Sequence, residues 1–504
     1  MRSLHESSTK RWALCLSFGC LLVGCSDDSD TDPALGTTVY VDQSAADGGD
    51  GSAAHPFRTV REALEVEQAF ETISIGPGDY PVPSPWAIDA TVTVTGADGG
   101  TTTLDGEETG ARIAWTSGAK LTLTTLGFAA PFSFDSGELE LADVTVSEVV
   151  GPALEAIEAT TRFQRVAVNG VMEVDGQAGT GDGIVVSGGS LQWSDGSASD
   201  VPDRALVLEG ATATLTDLTL TSRDRAPLTV SDGAAVTAQG IMIDQVSLGV
   251  FVDEASLELT GATISGATTA GLLASAGSTT IVTDSTFSNC PEGHVALIGA
   301  GASLTLERNR FENAANNACI SAAQTDGSVV IRDNQIDGCA GGGITLSHLT
   351  GAEITGNEVA NITPDPLFEE LADGITLYDA EGTVSGNTVH HTDGYGISLI
   401  RGQGIIADNV VGPVDGVGIS IVELGGARVQ VAGNTITQAR GAGVMVLEAA
   451  ADLTDNTISE TIFLGSEGLG DGIAFGLGAD VTATGNQCFD NGTNGIVFLD
   501  GVTG

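Results

Sequence analysis

Residues 388 to 402 read TVHHTDGYGISLIRG, which places His390, His391, Asp393, Tyr395 and Arg401 close together in the chain. Imidazoles titrate near neutral pH, and a carboxylate beside them can orient them. His390, His391 and Asp393 therefore have the parts for general acid and base work. Nearby aspartates suggest a second chemistry. Asp182, Asp373 and Asp471 sit in ADG or GDG corners, and Asp393 and Asp415 in DGxG corners. Such oxygen donors suit calcium, so Asp373, Asp393, Asp415 and Asp471 are its candidate ligands. Asp-Gly is equally a common turn pair for conformational reasons. As a transition-metal pair His390 and His391 are a poor prospect, because neighbours on an extended segment point to opposite faces.

The rest of the chain limits what such a cluster can meet. Its 504 residues carry 18 Lys and Arg against 67 Asp and Glu, a formal net charge of −49. That surface repels nucleic acid and anionic headgroups, and polyuronic acids too unless a divalent cation bridges them. Glycine is abundant at 69 residues and aromatics are only 5%. Turn-formers mixed with β-branched residues favour many short strands over helical domains.

The first residues read as an address. Lys10 and Arg11 precede an apolar run from Trp12 to Val23 that is too short to span a bilayer. It ends in Leu22-Val23-Gly24-Cys25, which resembles a bacterial lipobox and implies cleavage before Cys25 and its acylation. The expectation is a signal peptide over 1–24, a polar tether over 25–37 and a body over 38–504. That body would be exported and lipid-anchored in the bacterial envelope, at the outer membrane or cell surface. Beyond the leader Lys120 is the sole lysine. Cys290, Cys319, Cys339 and Cys488 match neither a metal cluster nor a small-domain disulfide framework, and buried thiols are expected.

Internal repetition sets the elements that would position the cluster. Asn309, Asn334, Asn357, Asn387, Asn409, Asn434, Asn456 and Asn486 recur at steps of 25, 23, 30, 22, 25, 22 and 30. Each is followed by a strand such as ADGITLYD, GYGISLIR or GVGISIVE. Upstream, Asp143, Arg165, Asp217, Gly240, Gly261 and Asp284 continue the register at the Asn position, with a poor turn near Asp195. Short alternating strands repeating at this period specify a parallel β-solenoid. Asn tolerates the left-handed conformation of a sharp corner, and stacked amides can bond from turn to turn.

This repeat resembles that of the right-handed parallel β-helix (pectin-lyase-like) superfamily. The opening YVDQSAADGGDGSAAHPFRTVREALEV and ISIGPGDYPV resembles the N-terminal turn of bacterial members, through Tyr40, Gly51, Ser52, Pro56, Phe57, Thr59, Ala63, Leu64, Ile75, Pro77, Gly78 and Tyr80. Phe57, Val60, Ala63 and Leu64 lie at helical spacing, with Pro56 suited to the start. The implied fold is all-β, one single-stranded right-handed parallel β-helix of about 16 turns, with a short capping helix inside a cap over 38–80. Function is less constrained, because the superfamily spans lyases, hydrolases, epimerases and adhesins. Its lyases use calcium held by carboxylates and an Arg or Lys base, and Lys120 is remote from the cluster. Pectate-lyase WIDH and RxPxxR signatures, polygalacturonase NTD, DD, GHG and RIK elements and the epimerase YG-x-DPH motif are not matched.

On the solenoid, counting four residues past each Gly-Ile isoleucine or its equivalent gives one polar column. It holds Asp232, Glu254, Gln324, His348, Asp379, Arg401, Glu423, Glu448, Leu477 and Asp500. Arg401 between Asp379 and Glu423 relieves carboxylate repulsion, a structural role. NITPDPLFEELADG and SETIFLGSEGLGDG are insertions at one position of the turn, and they would wall a trough lined by His390, His391, Asp393, Tyr395, Asp415 and Arg440. Tyr395, Asp415, Arg401, Arg440, His348 and Asp379 are the candidate ligand-binding residues. The leading reading is an envelope lipoprotein that binds a carbohydrate or contacts another surface without chemistry, with a polysaccharide or a cell-surface protein as partner and the membrane met only through the anchor. The alternatives are a polysaccharide lyase or glycoside hydrolase with His390, His391 and Asp393 in its site, and a purely structural envelope protein.

Overall fold

A computed structural model describes residues 37–499, apart from 67–68, 87–89, 98–100, 108–110, 117–118, 175–176, 178–179, 367–371, 424–427 and 464–469. The leader, the acylation site Cys25, most of the tether and Asp500 therefore lie outside the described residues. The first strand is Thr38–Val41, and strands then follow one another into a parallel stack of about 17 turns. From residue 184 onward each turn contributes one strand to each of three faces. Face A holds Ile375–Tyr378, Ile397–Ile400 and Ile419–Val422, stacked Ile375 on Ile397 on Ile419. Glu381–Ser385 and Gln403–Ala407 belong to face B. Gln335–Cys339, Glu358–Ile362 and Thr388–Thr392 belong to face C. Parallel pairing satisfies each strand from the turns on either side, and a continuous apolar core fills the interior.

The repeated sequence pattern has a steric origin. Gly374, Gly396 and Gly443 each stand just before a face A strand and point inward. A Cβ there would lie 2.3 Å from Val389 Cγ1, 2.3 Å from Val411 Cγ1 and 2.2 Å from Ile458 Cγ2 respectively. The β-branched residues of face C have taken that space, so the interior closes only over glycine. Between Gly249 and Gly495 two turns break the column, with His294 and Cys319 in the glycine's place, and further upstream Ala205 and Pro227 stand there.

The Asn column is a buried ladder, as the stacking argument expects. Asn387 Nδ2 donates to Asn409 Oδ1 at 3.0 Å and to the Ile354 carbonyl at 2.9 Å, while its backbone N–H donates to the same Oδ1 at 2.9 Å. The pattern repeats from Asn309 to Asn486. The sharp corner, however, is not made by the asparagines themselves. Positive φ belongs to the residue before each asparagine: Arg308, Asp333, Gly356, Gly386, Asp408, Gly433, Asp455 and Gly485. Asp143, Arg165, Asp217, Gly240, Gly261 and Asp284 share that conformation, and so does Asp195, whose turn is irregular as expected, the strand Ser197–Val201 shifting register against the next turn between Ala198 and Val201. The upstream register is thus one residue out. The true counterparts of the asparagines there are buried Val144, Val166, Leu218, Ile241, Ala262 and Ser285. Ser285 is the transition, its N–H donating to Asn309 Oδ1 at 2.9 Å.

At the N-terminal end a helix over Val60–Leu64 covers the core with buried Val60 and Ala63. It begins four residues after Pro56, because Thr59 and Glu62 form a reciprocal capping box. Phe57 lies outside it, bridging to Val41 as a strand residue. Cys319 and Cys339 are joined in a disulfide, against the expectation of buried thiols; Cys290 is an unpaired buried thiol and Cys488 an unpaired, half-buried one. The pairing is hidden in sequence because Cys319 stands just before a face A strand and Cys339 ends the following face C strand, which meet only across the turn. Among the described residues no helix is long and apolar enough to cross a membrane.

Candidate functional site

The geometry divides the cluster between His390 and Arg401. His390 is the third residue of a face C strand and faces outward, in register with Ala360 and Asp337 of the two preceding turns. His391 is the corner residue after it, with φ 55°. That left-handed turn defeats the alternation of an extended strand, so the two rings meet instead of diverging. Their Nδ1 atoms are 2.7 Å apart and the rings are edge-on at 4.9 Å. One Nδ1 donates to the other. His390 Nε2 lies 3.6 Å from Glu358 Oε1, giving a chain Glu358, His390, His391 along the outside of the solenoid.

Because Ala360 is small, the outward side of face C has a dent at that point. It forms an open cleft of about 220 Å³ lined by Arg310, Gln335, Asp337, Glu358, Asn361 and His390, with Ile336 and Ala360 beneath. The polar groups brace one another: Asn361 Nδ2 donates to Asp337 Oδ1 at 2.6 Å, and Arg310 donates to Glu312 at 2.6 Å and to Gln335 at 3.0 Å. Of these residues only His390 stands out in the sequence. The signal is present all the same. Counting one and three past Asn309, Asn334, Asn357 and Asn387 gives Arg310 and Glu312, Gln335 and Asp337, Glu358 and Ala360, and Thr388 and His390. These are the outward positions of face C.

The other trough residues lie on the corner between faces C and A, where both insertions leave the solenoid. Asp393 and Asp415 are exposed there, and Arg440 reaches Asp415 at 3.4 Å. Tyr395 packs against Val417, Ala442, Met445 and Ala474. The tips of both insertions lie outside the described residues. His348, Asp379 and Arg401 come together on the opposite edge of face A, again at left-handed corners. Arg401 grips Asp379 through two bonds of 2.9 and 3.1 Å, approaches Glu423 at 3.9 Å and sits 4.2 Å over the Tyr378 ring. His348 Nε2 is 3.5 Å from Asp379. Arg165 holds Asp143 and Arg308 holds Asp284 in the same two-bond manner one turn back, so Arg401 is a rung of the stack.

The carboxylates proposed for calcium do not converge. Asp373 is half-buried, and burial raises its pKa, opposed by hydrogen bonds from the Tyr395 N–H at 2.8 Å and from Thr376. Asp471 is buried and accepts from Thr493 and from the Asn494 N–H and side chain. Asp182 is held by Arg204 through bonds of 2.9 and 2.7 Å. Among the described residues no three His, Cys, Asp or Glu side chains gather around a common point suited to a metal.

A family profile described as right handed beta helix region matches residues 229–379 and 373–503. No curated protein matches the chain in sequence. Solved structures with a similar stack include the A-module of the mannuronan C-5 epimerase AlgE6 of Azotobacter vinelandii, at 12% identity and a TM-score of 0.23, covering 82% of this chain and 90% of that one. The catalytic unit of a thermostable GH87 α-1,3-glucanase from Streptomyces thermodiastaticus is 16% identical with a TM-score of 0.35, covering 90% of this chain and 69% of that one. Tailspike protein 3 of bacteriophage CBA120 is 12% identical with a TM-score of 0.32, covering 89% and 60%. At this level the likeness concerns the solenoid and carries no chemistry across.

Proposed function

The chain belongs to the right-handed beta helix family, and on that premise we propose that it is an exported, lipid-anchored envelope protein that binds carbohydrate without altering it. The observation that carries the reading is the face C cleft, where donors and acceptors from Arg310, Gln335, Asp337, Glu358, Asn361 and His390 stand in a braced array on a rigid stack. A saccharide presents hydroxyls that both donate and accept, and a fixed array of mixed polarity recognises it at little ordering cost. A carboxyl kept protonated as a general acid near neutral pH needs a dry setting, whereas the Glu358 side chain is 55% exposed. Export is supported by the Cys319–Cys339 disulfide, a bond that persists in oxidising compartments, together with the leader and Cys25.

The Glu358, His390, His391 chain favours a second reading, a polysaccharide-degrading enzyme in which His390 moves a proton under the influence of its two neighbours. One experiment separates the two. The chain from Ser26 onward is mixed with neutral and acidic polysaccharides, with and without calcium, and followed by size exclusion. Binding predicts co-elution with chain length unchanged, weakened by Asp337→Ala. Shortening that disappears in a folded His390→Ala variant would replace the binding reading with the enzymatic one.

A further inference from the structure

Face A carries a second concavity several turns nearer the N-terminus. Phe251 and Leu273 are paired in register at outward positions of consecutive strands, where neighbouring turns place Thr229 and Ala296. Both are half-buried, and with Thr229 they floor an open cleft of about 390 Å³. Arg204, Asp224 and Arg225 stand along its side. The two arginines are held from behind by carboxylates that are themselves buried. Arg204 makes its two bonds to Asp182, Arg225 lies 3.5 Å from Asp203, and each aspartate side chain is 4% exposed. Fixing the Arg204 guanidinium in this way lowers the ordering cost of binding, while Arg225, 56% exposed, stays free to turn toward a ligand. With Arg223 they make three of the chain's 18 cationic residues within one short stretch. Asp182, Asp203 and Asp224 balance that charge locally, although the whole chain is at −49.

We propose that this cleft is a second binding site and that it takes a ring unit of a neutral saccharide. The apolar face of the ring lies on Phe251 and Leu273, and its hydroxyls bond to Arg204, Arg225 and Asp224. An aromatic floor with a few fixed polar groups at the side is the general form of a small-ligand site, and balanced local charge selects against strongly anionic sugars. Adjacent turns are about 4.8 Å apart, so Phe251 and Leu273 together offer an apolar floor of about one ring's length, bounded by Thr229 and Ala296 of the neighbouring turns. The inference rests on the carbohydrate reading for its ligand class but not for its location.

The test uses the chain from Ser26 onward with cellohexaose, maltohexaose, laminarihexaose and hexagalacturonate, titrated calorimetrically. At least one neutral hexasaccharide is expected to bind, with affinity falling tenfold or more in Phe251→Ala and in Arg225→Ala and unchanged thermal unfolding. Arg225→Ala, an exposed position, keeps the test valid should Phe251→Ala fold poorly. Binding that survives both changes but is lost in His390→Ala overturns this site and leaves the carbohydrate reading standing. Preference for hexagalacturonate, lost in Arg225→Ala, overturns the neutral class. Retention of polysaccharides without any binding of the neutral hexasaccharides overturns the second site alone. Failure of every probe and polysaccharide overturns both readings.

Discussion

His294 makes stability depend on pH in a way that can be calculated. It occupies the glycine column, fully buried between Phe287 and Phe311, with ring centroids 6.5 and 6.0 Å away. Neither ring nitrogen makes a hydrogen bond of ordinary geometry among the described residues. Burial lowers its pKa from 6.5 to about 4, with the Glu312 backbone opposing the shift. The folded state therefore resists a proton that the unfolded chain accepts readily. Stability contributed by the neutral ring is complete above pH 6.5, falls as the pH drops through the interval from 6.5 to about 4, and levels off below it. At about 1.36 kcal/mol per unit the full loss is about 3 kcal/mol, of which about 2 kcal/mol has gone by pH 5. His294→Leu keeps the volume and removes the titration. Hydrogen exchange of the amides over 287–297, compared at pH 8 and pH 5 after correction for intrinsic rates, reads the local opening energy. Wild type is expected to lose about 2 kcal/mol more than the variant between these pH values. Equal losses in the two proteins would refute the claim that the ring is neutral and dry.

Three further perturbations follow from the packing. Asn409→Ala removes the acceptor for the Asn387 N–H and Nδ2 and the donor to Val384 and Asn434, leaving buried groups unmet; a destabilisation of about 2–4 kcal/mol is expected in urea unfolding. Gly396→Ala forces a methyl to 2.3 Å from Val411 Cγ1 and 2.6 Å from the Gly418 carbonyl, and a lower melting temperature, equivalent to roughly 2–3 kcal/mol, should result. Reducing the Cys319–Cys339 bond, which spans 20 residues, is expected to cost about 3 kcal/mol, measured as the shift in urea midpoint with and without reductant.

What the sequence disclosed depended on whether a physical requirement repeats. The asparagines were visible because each amide needs another directly above it, and the glycines because Val389, Val411 and their equivalents leave no room. Arg401 was placed correctly between Asp379 and Glu423, since charge alternation along a column can be read by counting. The upstream register slipped by one residue because there the ladder position is apolar, and the polar corner residue before it was the one that stood out. The contact between His390 and His391 turned on a single backbone angle, at a corner position where Glu148, Gln245, Asn289 and Gln438 serve equally well. Composition holds no trace of that. The face C cleft was missed for a different reason. It is created by what Ala360 lacks, and a missing side chain draws no notice until its neighbours in space are known.

The amide ladder also divides the rod into two mechanical regimes. Each asparagine oxygen accepts from the turn before it, while each amide nitrogen donates to a carbonyl of the turn before it and, as far as Asn456, to the asparagine of the turn after it, so removing one turn strands polar atoms in its neighbours. From Asn309 to Asn486 the turns are therefore locked to their neighbours like links of a ratchet, and the block should melt as a unit. Upstream the same column is Val144, Val166, Leu218 and Ile241, whose apolar contacts add no side-chain hydrogen bond to the backbone pairing shared by all turns, so neighbouring turns there are tied by fewer directional bonds. A rod built this way is stiff over its C-terminal half and compliant toward its N-terminal end. Bending under load should concentrate in the compliant half and leave the face C cleft undistorted.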